Sequence, residues 1–97
     1  MILNILVFKN LKINCFTTPQ YDDHDPKDAA EQLRRSLICE KDVTKVNPYK
    51  NLELYCMGTF NDLTGEMKVT KPELLLDCAA IVKEREDYVE SVEISRN

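Results

Sequence analysis

Leu52-Glu53-Leu54-Tyr55-Cys56-Met57-Gly58-Thr59-Phe60-Asn61-Asp62-Leu63-Thr64-Gly65-Glu66-Met67-Lys68-Val69 is the stretch on which the fold turns. Residues 52–60 are rich in aromatic and aliphatic residues, and Leu52, Leu54 and Cys56 alternate onto one side, as in a half-buried strand. Asn61-Asp62-Leu63-Thr64-Gly65 is the clearest turn in the chain. Asn and Asp side chains bond their own backbone, and glycine supplies a positive φ. Glu66 to Val69 then returns as the second arm of a β-hairpin.

On the C-terminal side, Thr70-Lys71-Pro72-Glu73 reads as a capping box, with Thr at the N-cap and Glu three residues on. It predicts a helix over about 71–84 whose apolar stripe is Leu74, Leu75, Cys78, Ile81 and Val82. Beyond it lies the charged run Lys83 to Asp87. Tyr88, Val89, Val92 and Ile94 suit either a longer helix or a last strand. On the N-terminal side, residues 39–51 are polar, contain Asn47-Pro48, and read as a loop. Asp25-Pro26 starts a helix over 26–38, with Asp as N-cap, Pro in the first turn and Asp28 at the positive end of the helix dipole. Ala29, Ala30, Leu33, Leu37 and Ile38 form its apolar face. Residues 2–8 are an apolar, β-branched strand, and residues 12–18 alternate as a second strand that Pro19 ends. Residues 20–25 read as a polar loop. The order β-β-α-β-β-α predicts an α+β fold, an antiparallel sheet of two hairpins with two helices on one face. It forms one domain over residues 1–84, with 85–97 as a charged C-terminal extension.

The chain has 97 residues, room for one domain and not two. A domain of this size is often marginal alone, which keeps a homodimer open as an expectation. The formal net charge is −4 and is unevenly spread. Residues 1–50 carry eight Lys and Arg against seven Asp and Glu, whereas residues 51–97 carry five against ten. An acidic chain is a poor non-specific ligand for nucleic acid, so any DNA contact has to come from a local patch in the first half. The opening Met1 to Phe8 has no basic flank or cleavage site and is too short to span a bilayer, so no membrane association is expected. The four cysteines, at 15, 39, 56 and 78, include no Cys-x-x-Cys pair and read as reduced, mostly buried thiols.

Little in the chain suits catalysis. His24 is the single histidine, set among Asp22, Asp23 and Asp25. A transition-metal site usually draws on several His or Cys ligands, so the plainer reading is a solvated loop with Asp25 capping a helix. Cys15, Cys56 and Cys78 lie on predicted strands or a helix near apolar faces, and core packing suits them better than nucleophilic attack. Gly58 and Gly65 are the only glycines, and neither belongs to a phosphate-cradling loop. The expectation is therefore a binding protein and not an enzyme, with no catalytic residue, metal or cofactor. The basic concentration is Lys27, Arg34, Arg35, Lys41, Lys45 and Lys50, with Tyr49 or Tyr55 as a stacking surface, a candidate nucleic-acid-binding set. The alternative is a solvated helix face in which Glu31, Glu40 and Asp42 are interspersed. Phe16, Tyr21, Tyr49, Tyr55 and Phe60 are expected mostly in the core, with an exposed partner surface as the alternative.

Taken in order, several segments resemble one family. Phe16-Thr17-Thr18-Pro19, an acidic loop and an amphipathic helix precede Asn47-Pro48-Tyr49-Lys50-Asn51-Leu52-Glu53-Leu54-Tyr55. Gly58-Thr59-Phe60-Asn61-Asp62-Leu63-Thr64-Gly65 and Lys71-Pro72-Glu73-Leu74-Leu75 follow. This order resembles the small nonstructural protein of gokushoviruses, single-stranded DNA microviruses of bacteria, including chlamydiae. The resemblance covers most of residues 2–82 and is most specific in the hairpin. Asn61-Asp62 stands where two acids are usual, and the segment after Val82 has no counterpart. The resemblance implies a bacteriophage accessory protein in the host bacterial cytoplasm. Such a protein would bind DNA, single-stranded above all, during viral genome synthesis or packaging. The alternative it leaves is an adaptor that recruits viral replication or procapsid proteins without touching DNA.

Overall fold

A computed structural model describes residues 1–95, with side chains placed through Asp87. The fold is α+β. An antiparallel sheet carries β1 (Ile2–Asn10), β2 (Cys15–Phe16), β3 (Gln20–Asp22), β4 (Leu52–Asn61) and β5 (Met67–Leu76). The helices are α1 (Pro26–Cys39), the single-turn α2 (Val43–Val46) and α3 (Cys78–Ser95), with a 3-10 turn at Asn47–Tyr49. None of the described helices is long and apolar enough to cross a membrane.

The apolar strand β1 lies inside the sheet. It pairs with β4 along its whole length on one side, and with β2 and β3 on the other. β5 pairs with β4 and forms the opposite edge. Residues 12–18, expected as one strand, divide differently. Asn10 Oδ1 accepts from the backbone N–H groups of Lys12 and Ile13, at 3.0 and 3.4 Å, and Asn14 takes a positive φ of 55°. That local turn delays the strand to Cys15. Past Pro19, which has no N–H to give a ladder, pairing resumes as β3 where a loop was expected.

The larger correction is at residues 70–77. The capping box does not start a helix: β5 runs on to Leu76, and α3 begins at Cys78. Asp77 is the cap in use. Its carboxylate accepts from Ala80 N–H at 3.0 Å, and its carbonyl accepts from Ile81 N–H at 3.3 Å. Leu74 and Leu76 face Tyr55 and Leu54 across the ladder, so pairing with β4 outcompetes the local helix signal. Pro72 helps, because it biases Lys71 towards extended backbone. The expected stripe is thus divided, Leu74 and Leu75 on the strand and Cys78, Ile81 and Val82 on the helix. α3 continues through the charged run to Ser95. Residues 96–97 of the expected extension, and the side chains of Tyr88, Val89, Val92 and Ile94, lie outside what is described.

The hairpin turn and α1 form as read. Asn61 Oδ1 accepts from Leu63 N–H at 3.0 Å, and Gly65 takes φ 76°. Asp25 caps α1 by accepting from Lys27 N–H at 2.8 Å. The expected 39–51 loop holds α2, capped by Asp42, which sends Val46 into the core.

The core lies between one face of the sheet and the helices. Leu6 and Leu54 meet Ala30, Leu37, Val46, Cys78 and Val82, with Phe8, Leu33, Leu76 and Ile81 around them. Ile38, expected on this face, is half exposed. Arg85 reaches from α3 to donate to the Leu37 carbonyl at 2.9 Å, so a cation caps the negative end of α1.

Candidate functional site

The basic set does not converge. Arg34 and Arg35 both turn to Glu31, at 3.4 and 3.3 Å, so one carboxylate offsets part of their charge. Lys27 and Arg34 line a cleft between α1 and β5 together with Glu31 and Glu73. Lys41 borders a shallow hollow with Glu40, Ser36 and Cys39. Lys50 lies in another concavity with Lys83, among Asp77, Glu86 and Asp87. Lys45 is exposed on α2. Tyr49 is half-buried and packs edge to face on Phe8, ring centroids 5.8 Å apart, so its ring supports the core. The expected interface is thus spread over separate surfaces, each with acids nearby.

Asp22, Asp23 and His24 gather one imidazole and two carboxylates within 4.8 Å of one another. His24 Nδ1 is 2.6 Å from Asp22 and 3.2 Å from Asp23. The hydrogen bond to Asp22, then the charges of both acids, raise the imidazole pKa above its ordinary 6.5. Bonds from the His24 backbone and ring lower that of Asp22. Because the folded His24 pKa is the higher one, this pairing favours the fold fully below pH 6.5 and fades as pH rises through the raised value. The Asp22 contribution has the opposite sense, being lost as pH falls through its lowered value. The His24 ring is well exposed, so the effect on global stability is small. The expected result in an NMR titration is a His24 midpoint above the ordinary value, which Asp22→Asn returns towards it. An unshifted wild-type midpoint would contradict the geometry.

Two thiols correct the sequence reading. Cys15 and Cys39 are exposed, and Cys56 is half-buried. Cys78 alone is fully buried, and that burial pushes its pKa up to about 11, which leaves it a protonated packing group.

A second candidate surface is the sheet face turned away from the helices, which carries aromatic residues expected mostly in the core, with exposure as the alternative. Partners across an antiparallel ladder project to the same side. Val7 pairs with Tyr55, Leu3 with Phe60, Ile5 with Tyr21 and Lys9 with Phe16. Ile5 and Val7 are buried yet stand outside the helix-facing cluster. Phe16 meets Tyr55 edge to face at 5.7 Å, and Tyr21 meets Phe60 at 5.3 Å. Phe16 and Tyr21 remain 46% and 49% exposed, so the rings roof Ile5 and Val7 while presenting themselves to solvent. Met67, Val69 and Leu74 continue this face onto β5, at 48%, 63% and 49% exposure. Lys9 sets its ammonium 5.8 Å over the Phe16 ring. Glu53 lies opposite Lys9 and accepts from the Tyr55 hydroxyl at 2.9 Å, which raises the pKa of that phenol. No helix covers this face among the described residues. The signal for it was the two-residue period of the strands, which puts Leu3, Ile5, Val7 and Lys9 opposite Leu6 and Phe8.

Comparison of the chain with family models, with curated proteins and with solved structures finds no match.

Proposed function

We propose that this protein is a non-enzymatic accessory protein of a gokushovirus-like phage. It acts in the host bacterial cytoplasm and holds single-stranded DNA on the open face of its sheet during genome synthesis or packaging. The observation that carries this reading is the pair of solvent-facing aromatic clusters, Phe16 with Tyr55 and Tyr21 with Phe60, on a sheet face that no helix covers. An antiparallel sheet backed by helices, with aromatic rings on its free face, suits unpaired bases. Each base stacked on a ring is worth about 1–3 kcal/mol. Duplex DNA keeps its base faces inside the stack and cannot use such a platform.

The same geometry reconciles binding with an acidic chain. Stacking supplies the affinity, and Lys9 supplies a local cation for phosphate. Neutralising one phosphate on a single strand gives a slope of about −0.7 in log K against log salt, so the salt dependence should be shallow. Reversing charge at Arg34 and Arg35 should change affinity for a labelled ten-residue oligothymidylate by less than about twofold. Phe16→Ala with Tyr21→Ala should weaken it about tenfold or more, as the stacking magnitudes require. Fluorescence anisotropy between 50 and 300 mM salt reads both. A steep slope, with binding lost on reversal at Arg34 and Arg35, would return the site to the helices and refute the platform.

A second reading is recruitment of replication or procapsid proteins. It is favoured by the apolar, nearly charge-balanced character of the face, where Lys9 and Glu53 oppose each other and Met67, Val69 and Leu74 are exposed. Here the same aromatic substitutions abolish a complex with a purified viral capsid or replication protein, and no oligonucleotide binds.

A further inference from the structure

We infer that the open face holds a single strand at two separate base seats, one on each aromatic pair, with the phosphate beside the first seat against Lys9. This rests on the reading that the face holds single-stranded DNA, and it adds the footprint of that contact and the place of its phosphate.

The placement follows from the register. Phe16 pairs with Lys9, and Tyr55 with Val7, so the first seat lies over the Val7–Lys9 end of β1. Tyr21 pairs with Ile5, and Phe60 with Leu3, so the second lies over the Leu3–Ile5 end. The seats are offset by four residues of one strand, about 13 Å at the rise of a β-strand. A stacked nucleic-acid strand advances about 3.4 Å per nucleotide, so the gap equals roughly four stacked steps, and fewer in an extended strand. Four steps join five nucleotides, so a stacked strand must be about five nucleotides long to fill both seats, and an extended strand can be shorter.

Ile5 and Val7 lie beneath the seats, buried at 4% and 2% exposure, and neither is a ring on which an intervening base could stack. The two seats also differ. Lys9 stands over Phe16 at 5.8 Å, whereas no cation lies over Tyr21 or Phe60 among the described residues. A phosphate is therefore favoured beside the first seat. The contacts are to ring faces and not to base edges, so the sequence preference is slight.

The test uses the full chain and oligothymidylates of two, four, six and ten residues. Affinity should climb at least tenfold between two and six residues and then rise only with the number of binding registers. Phe16→Leu or Tyr21→Leu, which keeps an apolar side chain but removes the ring, should erase that step and leave the dinucleotide within about twofold. Lys9→Gln should weaken the Phe16 seat, measured in the Tyr21→Leu background, and not the Tyr21 seat, measured in the Phe16→Leu background. Circular dichroism confirms that each variant is folded. An even gain per nucleotide up to ten residues, insensitive to either ring, overturns the two-seat arrangement while single-strand binding stands. Absence of binding at every length, with a concentration-dependent dimer that Phe16→Leu dissociates, overturns the underlying reading as well, because a second copy then owns the face.

Discussion

Gly58→Ala is expected to destabilise the protein by about 3–5 kcal/mol, at the high end for a single methyl group. Gly58 has φ of +134°, a region that side chains with a Cβ essentially never occupy. A Cβ built there would lie 1.9 Å from the Lys68 carbonyl oxygen and 2.9 Å from its carbon. Those atoms are main chain and cannot swing aside, so β5 would have to leave β4. The position is special because the ladder slips on both sides of it. Ile5 pairs with Gly58 while Leu6 pairs with Cys56, which leaves Met57 as an extra residue. β5 closes in at the bulge, and only a residue without a side chain fits. Gly65→Ala is the internal control. Its φ is also positive, at +76°, but nothing lies within 4 Å of the added methyl, so the cost should be about 1–2 kcal/mol. Urea denaturation of the two variants beside wild type reads the difference. Equal and small losses would mean that β4 and β5 do not approach as described.

Leu37→Ala should cost about 3–4 kcal/mol, within the 2–5 kcal/mol span of leucine truncations in well-packed cores. Leu37 is 2% exposed and sits in the cluster that joins α1 to Val82 and Cys78 of α3. Truncation opens a cavity where the two helices meet the sheet. Its own carbonyl is held by Arg85 at 2.9 Å, so α1 cannot shift easily to refill the space. For a domain of this length, each kcal/mol lowers the melting temperature by about 4–8 °C, so a fall of roughly 12–30 °C is expected by calorimetry. Ile38→Ala, next in sequence but 48% exposed, should stay below about 1 kcal/mol. Similar losses from the two would place the helix face elsewhere.

Much of this architecture was readable because its signals are local. Asp25-Pro26 caps and opens α1, and Asn61 to Gly65 closes a hairpin, without help from distant residues. The boundary at residue 78 was not readable, because two local signals competed. Thr70-Lys71-Pro72-Glu73 has the form of a helix start, but the partner that decides is Leu54-Tyr55 across the ladder, and pairing of that kind leaves no trace in the segment itself. The exposed aromatic face was hidden for a related reason. Arg34 and Arg35 are prominent in sequence, yet the Glu31 one turn earlier takes up both. Phe16, Tyr21, Tyr55 and Phe60 are dispersed over 45 positions and become neighbours only through the registers of β2, β3 and β4 with β1. Aromatic residues in a small domain are normally spent on its interior, and here helices cover a single face.

Among the described residues no strand lies beyond β5, and Met67 to Leu74 are exposed along that margin. Bare main-chain amides and carbonyls of this length could nucleate end-to-end growth into fibrils, molecule upon molecule. Lys68 and Lys71 bring charges that repel one another when copies align, and Pro72 interrupts the row of donors. Those three residues all work against such growth.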